Sequence, residues 1–381
     1  MTSVQESIPS SEGTHPQKYS LMLPNEVIDI IFKSLDGPTQ ICFALTCRTL
    51  YKDYFPETDP YYWRKRDWYW RKGLLCRLEK DIPEYYCCLQ CAKLHRWDVP
   101  SNKVWSISKP WNGYLDFHPT RDRELDYFEF PVGEDHYLTY HAVRVIMNRH
   151  LYGPRHGIPL EAIELDTHKL CQETGTTVDM VVRPRIIDDE LFLSVHHKIL
   201  HPQNDTQSLE NFINHAKLRV CRHLQVGTHW TSVGCWHRHP PLFLPIRIPE
   251  LGRGCWPLKD CANEFGSVRS CQVCMTDYQV KISRQHEGQE EKGWSIEIMV
   301  WHQLGNGRDP YDEDRWFNLA HTGYYGPPRN DYMPGIVRHR WSKGDETLLS
   351  CEGEFVEGLD RLPKGLTMDE EGTIGLGDWE G

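Results

Sequence analysis

Residues 278–305 have the sequence YQVKISRQHEGQEEKGWSIEIMVWHQLG. Apolar and polar side chains alternate with a period of two in YQVKISR and in WSIEIMVWHQLG, as in half-buried strands. The polar stretch QHEGQEEKG joins them, so the pattern predicts an antiparallel hairpin. Trp294, Ile296, Ile298 and Val300 are expected on one face of the second strand, and Glu297 on the other.

The segments on the N-terminal side of this hairpin extend the same pattern. TTVDMVVRPRII and DELFLSVHHKIL, within residues 176–200, alternate in the same way and predict two more strands. Before them, HYLTYHAVRVIMNRH predicts a helix with Leu138, Ala142, Val145 and Ile146 on one side. Helices therefore come first and antiparallel strands later, which predicts an α+β fold: a small helical module followed by a larger domain of helices and mostly antiparallel sheet.

Composition limits the classes of protein that this chain can be. Hydrophobic residues make up 39% of the chain and charged residues 25%, and the mean hydropathy is −0.60. No apolar stretch approaches the ~20 residues that span a bilayer, and the N-terminus lacks the features of a secretory signal. We therefore expect no membrane partner, a cytoplasmic or nuclear location, and reduced cysteines. The net charge of −11 makes nucleic acid an unlikely partner.

Composition along the chain predicts four regions. Residues 1–20 are rich in polar residues without periodicity and are expected to be disordered. Residues 21–66 contain the helical module and residues 67–350 the α+β body. Residues 351–381 form an acidic tail that we expect to be solvated.

The helical module is encoded by LPNEVIDIIFKSLDGPTQICFALTCRTLYKDYF, residues 23–55. Pro24 can open a helix because the first helical N–H needs no partner. Asp36, Gly37 and Pro38 end that helix and begin the next. Helices this short cannot bury much core by themselves.

This segment resembles an F-box in its Leu-Pro-x-Glu opening, its apolar run to Leu35, its Asp-x-Pro break and its ALTCRTLY closure. The resemblance implies docking on the Skp-family adaptor of a cullin–RING ubiquitin ligase, with an unknown target protein as a further partner. The adaptor contacts that it implies are Leu23, Pro24, Val27, Ile30, Ile31, Leu35, Leu45 and Leu50.

Two Cys-x-x-Cys pairs, Cys88 with Cys91 and Cys271 with Cys274, have the spacing of zinc ligands. Together they would supply four thiolates, so we predict a structural zinc site shared by the two pairs. Three other residues are alternative ligands that the sequence cannot choose between: His95, Cys221 and His223. No organic cofactor is expected.

Beyond residue 55, four segments resemble a group of F-box proteins from filamentous fungi that carry an uncharacterised α+β domain. These segments are CLQCAKLHRW, VRVIMNRHLYGP, VCRHL and CQVCMTDYQV, and the likeness runs from about residue 21 to about residue 345. It identifies a family and implies no activity for the α+β domain.

The sequence contains no arrangement typical of catalysis. His-Glu-x-x-His, His-x-Glu with Cys-x-x-Cys, Gly-x-Ser-x-Gly and the phosphate-binding P-loop are all missing. We therefore expect a non-catalytic substrate receptor of an SCF-type ubiquitin ligase. An F-box protein acting outside a ligase is one alternative.

A zinc-containing nucleic-acid-binding protein is the other alternative. YYWRKRDWYWRKGLLCRLEKD interleaves aromatic and basic residues, with seven Lys or Arg and two Asp or Glu between Arg64 and Lys80. An amphipathic helix with packed tryptophans and solvated charges explains this stretch more simply.

Cys235, His237 and His239 could share one face of a strand and bind a metal, although such histidines are more often ordinary surface groups.

Overall fold

The chain divides into two units, with the boundary between Leu78 and Glu79. The computed structural model describes residues 23–55, 68–89, 91–97, 127–129, 137–216, 218–221, 223–227, 242–245, 268–271, 273–287, 290–309, 314–320, 334–343, 366–368 and 374–376. The predicted disordered N-terminus, residues 1–20, lies outside these ranges. No helix among them has the length and apolar character needed to cross a membrane.

The first unit consists of short helices, as predicted. They are α1 Asn25–Ser34, α2 Gly37–Leu45, α3 Arg48–Tyr54 and α4 Trp68–Asp81, the last of which contains the boundary. The side chain of Asp36 caps α2 by accepting the Thr39 N–H at 3.1 Å. It also pairs with Arg77 of α4 at 2.8 Å.

The core of the first unit is small. Ile28, Ile41, Ala44, Leu50 and Leu74 are its buried apolar side chains among the described residues. The rings of Phe32, Phe43 and Tyr54 pack beside one another, with centroids 4.7–6.4 Å apart. Ile28, rather than its neighbours Val27 and Ile30, is the buried residue of α1.

The second unit combines helices with mostly antiparallel sheets, so the α+β class predicted from the sequence is confirmed. Its described helices are α5 Tyr140–Tyr152, α6 Thr206–Ala216, α7 Asp314–Ala320 and α8 Ile336–Ser342. Its described strands before residue 210 are β1 Tyr85–Cys88, β2 Lys93–Arg96, β3 Tyr127–Glu129, β4 Tyr137–Thr139, β5 Leu165–Leu170, β6 Thr177–Ile187 and β7 Glu190–His201. Those after it are β8 Leu224–Gly227, β9 Leu242–Pro245, β10 Arg269–Ser270, β11 Thr276–Glu287, β12 Glu290–Gly305, β13 Leu366–Met368 and β14 Ile374–Leu376.

A six-stranded antiparallel sheet organises this unit, in the order β10-β11-β12-β7-β6-β5. The predicted hairpin is formed by β11 and β12, with Tyr278 opposite Val300 and Ile282 opposite Ile296. Trp294, Ile296, Ile298 and Val300 are almost completely buried on one face, as their alternation predicts. The neighbouring strand β7 continues that face with Val195 and Ile199.

The opposite face of the sheet carries a second apolar cluster under α8. Phe192 and Trp301 of the sheet pack there with Val337 and Trp341 of the helix. Both faces of the central strands are therefore covered.

A buried carboxylate, Glu79, joins several elements of the second unit. Its Oε1 accepts hydrogen bonds from the Cys87 N–H at 2.9 Å, the Arg144 Nε at 2.9 Å and the Asn148 amide at 2.7 Å. Its Oε2 accepts the Arg144 Nη2 at 2.5 Å. The Glu79 and Arg144 side chains are 0% and 1% exposed, so this charge is fully desolvated and fully partnered.

The Arg144 guanidinium extends this network by donating to the carbonyls of Gly307 and Arg308, at 3.2 and 2.7 Å. Glu79 thereby connects the end of α4 with β1, with α5 and, through Arg144, with the segment after β12. The interpretation of residues 61–81 as an amphipathic helix expects its charged side chains to be solvated. Glu79 corrects this expectation, because its carboxylate is buried.

Replacing Glu79 with Gln should destabilise the protein strongly. The variant leaves the Arg144 charge buried without its counter-ion, and breaking a buried pair in this way costs about 3–5 kcal/mol. Urea unfolding followed by tryptophan fluorescence measures the loss. Exchange of exposed Glu161 for Gln is the control and should change the free energy of unfolding by less than ~0.5 kcal/mol. A Glu79→Gln variant as stable as the parent would refute the role given to this network.

The same pair predicts a dependence of stability on pH. Burial opposes ionisation of Glu79, but Arg144, Asn148 and the Cys87 N–H together hold its pKa below the ordinary value of 4.5. A lowered carboxyl pKa adds stability that is complete above the ordinary pKa and is lost as the pH falls through the folded-state pKa. The stability difference between parent and Glu79→Gln should therefore shrink below about pH 4.5. A difference that stays constant down to pH 3 would contradict this expectation.

Candidate metal centres

Cysteine and histidine side chains form two clusters in the described part of the second unit. In the first, the ligand atoms of Cys221, His223, Cys271 and Cys274 all lie within 4.8 Å of one another. In the second, those of Cys88, Cys91 and His95 do so. Each cluster could hold a metal ion.

The predicted combination of Cys88 and Cys91 with Cys271 and Cys274 is therefore corrected. The first pair lies at the tip of the β1–β2 hairpin, and the second lies in the turn between β10 and β11 at the edge of the six-stranded sheet. Each turn groups with other ligands instead, and these are the three alternatives named from the sequence: His95 for the hairpin, and Cys221 and His223 for the sheet edge.

The turn at Cys271 and Cys274 has the geometry of a metal-binding knuckle. Backbone bonds close it, from Cys271 N–H to the Thr276 carbonyl at 2.9 Å and from Thr276 N–H to the Cys274 carbonyl at 2.7 Å. The Val273 N–H points at the Cys271 sulfur, 3.4 Å away. Such N–H groups stabilise negative charge on a thiolate.

Cys221 and His223 complete the first cluster from a bend just before β8. The sequence pattern placed them on one strand face, whereas the structure places them where the chain turns, with Cys221 and Leu224 bonded to each other through their backbones. The Cys221 sulfur lies 3.8 Å from the His223 Nδ1. The bend brings the two side chains to one point.

The three cysteines of the first cluster shift one another's pKa values. Hydrogen bonds from Cys221 and Cys274 hold the pKa of Cys271 well below its ordinary value. Burial raises the pKa of Cys221 and of Cys274, and interaction with Cys271 raises both further. The opposite directions of these shifts reflect the close contact of the three sulfur atoms, each only 1% exposed. A divalent cation would allow all three to ionise.

A polar side chain outside the cluster supports it. The Thr276 hydroxyl hydrogen-bonds with the Cys274 sulfur at 3.2 Å and with the His302 Nδ1 at 2.9 Å. Burial lowers the pKa of His302 to about 3, so its ring is neutral. This chain of contacts connects the Cys274 ligand to the middle of the sheet.

The second cluster is built by the β1–β2 hairpin. Cys88 ends β1, Cys91 lies in the turn, and His95 lies in β2 opposite Tyr86. The turn is tight, with Ala92 in the left-handed region at a φ of 49°. The Cys91 sulfur is 3.0 Å from the His95 Nε2. Burial and the neighbouring Cys88 raise the pKa of Cys91 to about 12.

One histidine beside this cluster was not among the predicted ligands. The His141 Nε2 lies 3.5 Å from the Cys88 sulfur. His141 lies within the predicted helix HYLTYHAVRVIMNRH, and its position there gives no sign of a ligand. Its nearness to Cys88, 53 residues earlier, is a product of tertiary structure alone.

The residues named as adaptor contacts differ in exposure. Leu23, Pro24, Val27, Ile30 and Leu45 are exposed, whereas Ile31 and Leu35 are half-buried. The prediction that Leu50 contacts the adaptor is corrected, because Leu50 is only 3% exposed and belongs to the core of the first unit. Its position in α3 turns it toward the other helices rather than toward solvent.

The remaining candidate sites from the sequence contribute little. Cys235, His237 and His239 lie outside the described residues. In the basic and aromatic stretch, the described part is helix α4, where Lys72 lies over the Trp68 ring at 5.2 Å and Arg77 pairs with Asp36. Within this helix, those two cations contact the protein's own side chains.

Comparison with protein-family models, with curated proteins and with solved structures finds no significant match to this chain.

Loss of the Thr276 hydroxyl should weaken metal binding at the first cluster. Partners that orient a metal ligand from outside typically contribute 10–100-fold in affinity, so we expect Thr276→Val to bind zinc about 10–100-fold more weakly. Competition with a chromogenic chelator measures this change.

Thr176→Val is a closely matched control for this experiment. Thr176 is also fully buried and also bonds a histidine of the same sheet, His201, at 2.7 Å, but it is not among the residues of either cluster. Its zinc affinity should equal that of the parent. Equal affinities for Thr276→Val and Thr176→Val would contradict a supporting role for Thr276.

Proposed function

We propose that this protein is a non-catalytic substrate receptor of an SCF-type cullin–RING ubiquitin ligase. The first unit would dock on the Skp-family adaptor, and the second would hold a target protein. The receptor would raise the local concentration of the target beside the charged ubiquitin carrier. Function would then take place in the cytoplasm or nucleus.

The observation that carries this proposal is the exposure of large apolar side chains on the first unit. Leu23, Val27, Ile30 and Leu45 are exposed by 47%, 39%, 69% and 44%. Val27 and Ile30 are three residues apart on α1, so they share one face of the helix. Apolar groups gathered in this way on a small helical unit suit a groove on a partner.

The construction of the first unit supports the same proposal. Its core contains few residues, yet α1 leaves Val27 and Ile30 outside it while burying Ile28. The Asp36 cap and its pair with Arg77 hold the α1–α2 corner. The unit can therefore keep its shape while its exposed apolar side chains remain available to a partner.

We further propose that zinc occupies the Cys221, His223, Cys271 and Cys274 cluster in a structural role. Three sulfur ligands and one imidazole are a common donor set for structural zinc, and four protein ligands leave no open position for a substrate. The Cys271–Cys274 turn and the Cys221 bend would then be fixed to each other. This is consistent with a body that presents a target instead of transforming it.

Replacing Ile30 with Asp should abolish adaptor binding without unfolding the chain. A charge at the centre of an apolar contact should cost about 2 kcal/mol or more, at least ~30-fold in affinity. Isothermal titration calorimetry with a recombinant Skp-family adaptor measures the change, and urea unfolding should show parental stability, since Ile30 is exposed.

Leu170→Asp is the matched control, because Leu170 is 58% exposed and lies on β5 of the second unit. It should bind the adaptor as the parent does. Failure of the parent to bind, or equal binding by Ile30→Asp, would overturn the docking proposal. Adaptor binding without co-purification of a cullin would instead favour an F-box protein acting outside a ligase.

A further inference from the structure

We propose that the chain holds a second zinc ion, bound by Cys88, Cys91, His95 and His141. The hairpin supplies three of these ligands and the first turn of α5 supplies the fourth. This proposal is independent of adaptor docking, and the count of two ions rests on the zinc proposed above for the first cluster.

Interatomic distances are the first argument. Zinc–sulfur bonds of about 2.3 Å and zinc–nitrogen bonds of about 2.0–2.1 Å place tetrahedral ligands about 3.6 Å apart for sulfur and nitrogen. The Cys88 sulfur and the His141 Nε2 are 3.5 Å apart. The ligand atoms of Cys88, Cys91 and His95 already lie within 4.8 Å of one another. His141 therefore stands at the separation from Cys88 that a shared ion requires, and because it lies outside the group within 4.8 Å, its ring would have to move toward Cys91 and His95 to complete the ligand shell.

The Glu79 network holds the two sources of ligands together. Glu79 binds the backbone N–H of Cys87, the residue before Cys88, and the side chains of Arg144 and Asn148. Arg144 and Asn148 follow His141 by three and seven residues, so all three share one face of α5. One buried carboxylate thus fixes β1 and the α5 face beside the site.

The surroundings of the cluster orient its two imidazoles. His141 lies in the first turn of α5, which holds its imidazole beside the Cys88 sulfur. The buried Tyr86 ring contacts both histidines, with its centroid 5.8 Å from that of His95 and 5.4 Å from that of His141. Tyr86 thereby restricts both imidazole rings and excludes water from one side of the cluster.

The donor set indicates the metal. Two thiolates and two neutral imidazoles neutralise and enclose a zinc ion in a closed, structural site. Such an ion would connect the β1–β2 hairpin to α5. It would also differ from an ion at the first cluster, where three of the four ligands are sulfur atoms.

Metal counting on the full chain tests the proposal. Native mass spectrometry under reducing conditions should find two zinc ions per parent chain and one in His141→Ala. Chelator competition should show that the second ion is bound more than ~100-fold less tightly in this variant, because even losses outside the ligand shell cost about 10–100-fold. His150→Ala removes an exposed imidazole of the same helix and should keep two ions.

His141→Cys tests ligation even if His141→Ala fails to fold. A thiolate at this position should retain two metal ions and, after cobalt substitution, should strengthen the sulfur-to-cobalt charge-transfer absorption. An equal number of equally tight zinc ions in the parent and in His141→Ala, or an unchanged cobalt spectrum in His141→Cys, would each overturn the proposal.

Discussion

The Glu79 carboxylate is the interaction on which the second unit depends most. It accepts four hydrogen bonds, one from Cys87 and three from Arg144 and Asn148, which lie 65 and 69 residues further along the chain. A charge buried this deeply is tolerated only when its partners are all in place. The end of α4, strand β1 and helix α5 must therefore assemble together, which brings the hairpin with Cys88 to the first turn of α5.

The six-stranded sheet is stabilised by its hydrophobic core, and a metal ion at either cysteine cluster would add to the stability of the second unit. Period-two burial of residues such as Val195, Ile296 and Ile298 provides the hydrophobic core of the six-stranded sheet. The clusters lie in a hairpin and at a sheet edge, where short strands bury little surface. Metal binding at such sites adds to the free energy of folding directly, because the unfolded chain does not preform them. At the first cluster, backbone bonds close both the turn with Cys271 and Cys274 and the bend with Cys221.

The first unit presents a different balance. Its helices are capped and paired locally, but its core is small and several of its large apolar side chains face solvent. Local signals therefore decide the helices, while a partner surface would complete the burial. The proposed division of labour, with docking in the first unit and target binding in the second, follows from this contrast in burial.

The sequence by itself determined the class of the fold, the central hairpin with its buried face, the short helices near the N-terminus and the two Cys-x-x-Cys pairs. These features depend on local periodicity, caps and spacing, which the chain order contains. Tertiary structure decided which ligands join each turn, that Ile28 and Leu50 are core residues, that Glu79 is buried and that His141 lies beside Cys88. The physical reason is that burial and ligand grouping depend on which distant segments pack together, and alternation within one segment does not encode this.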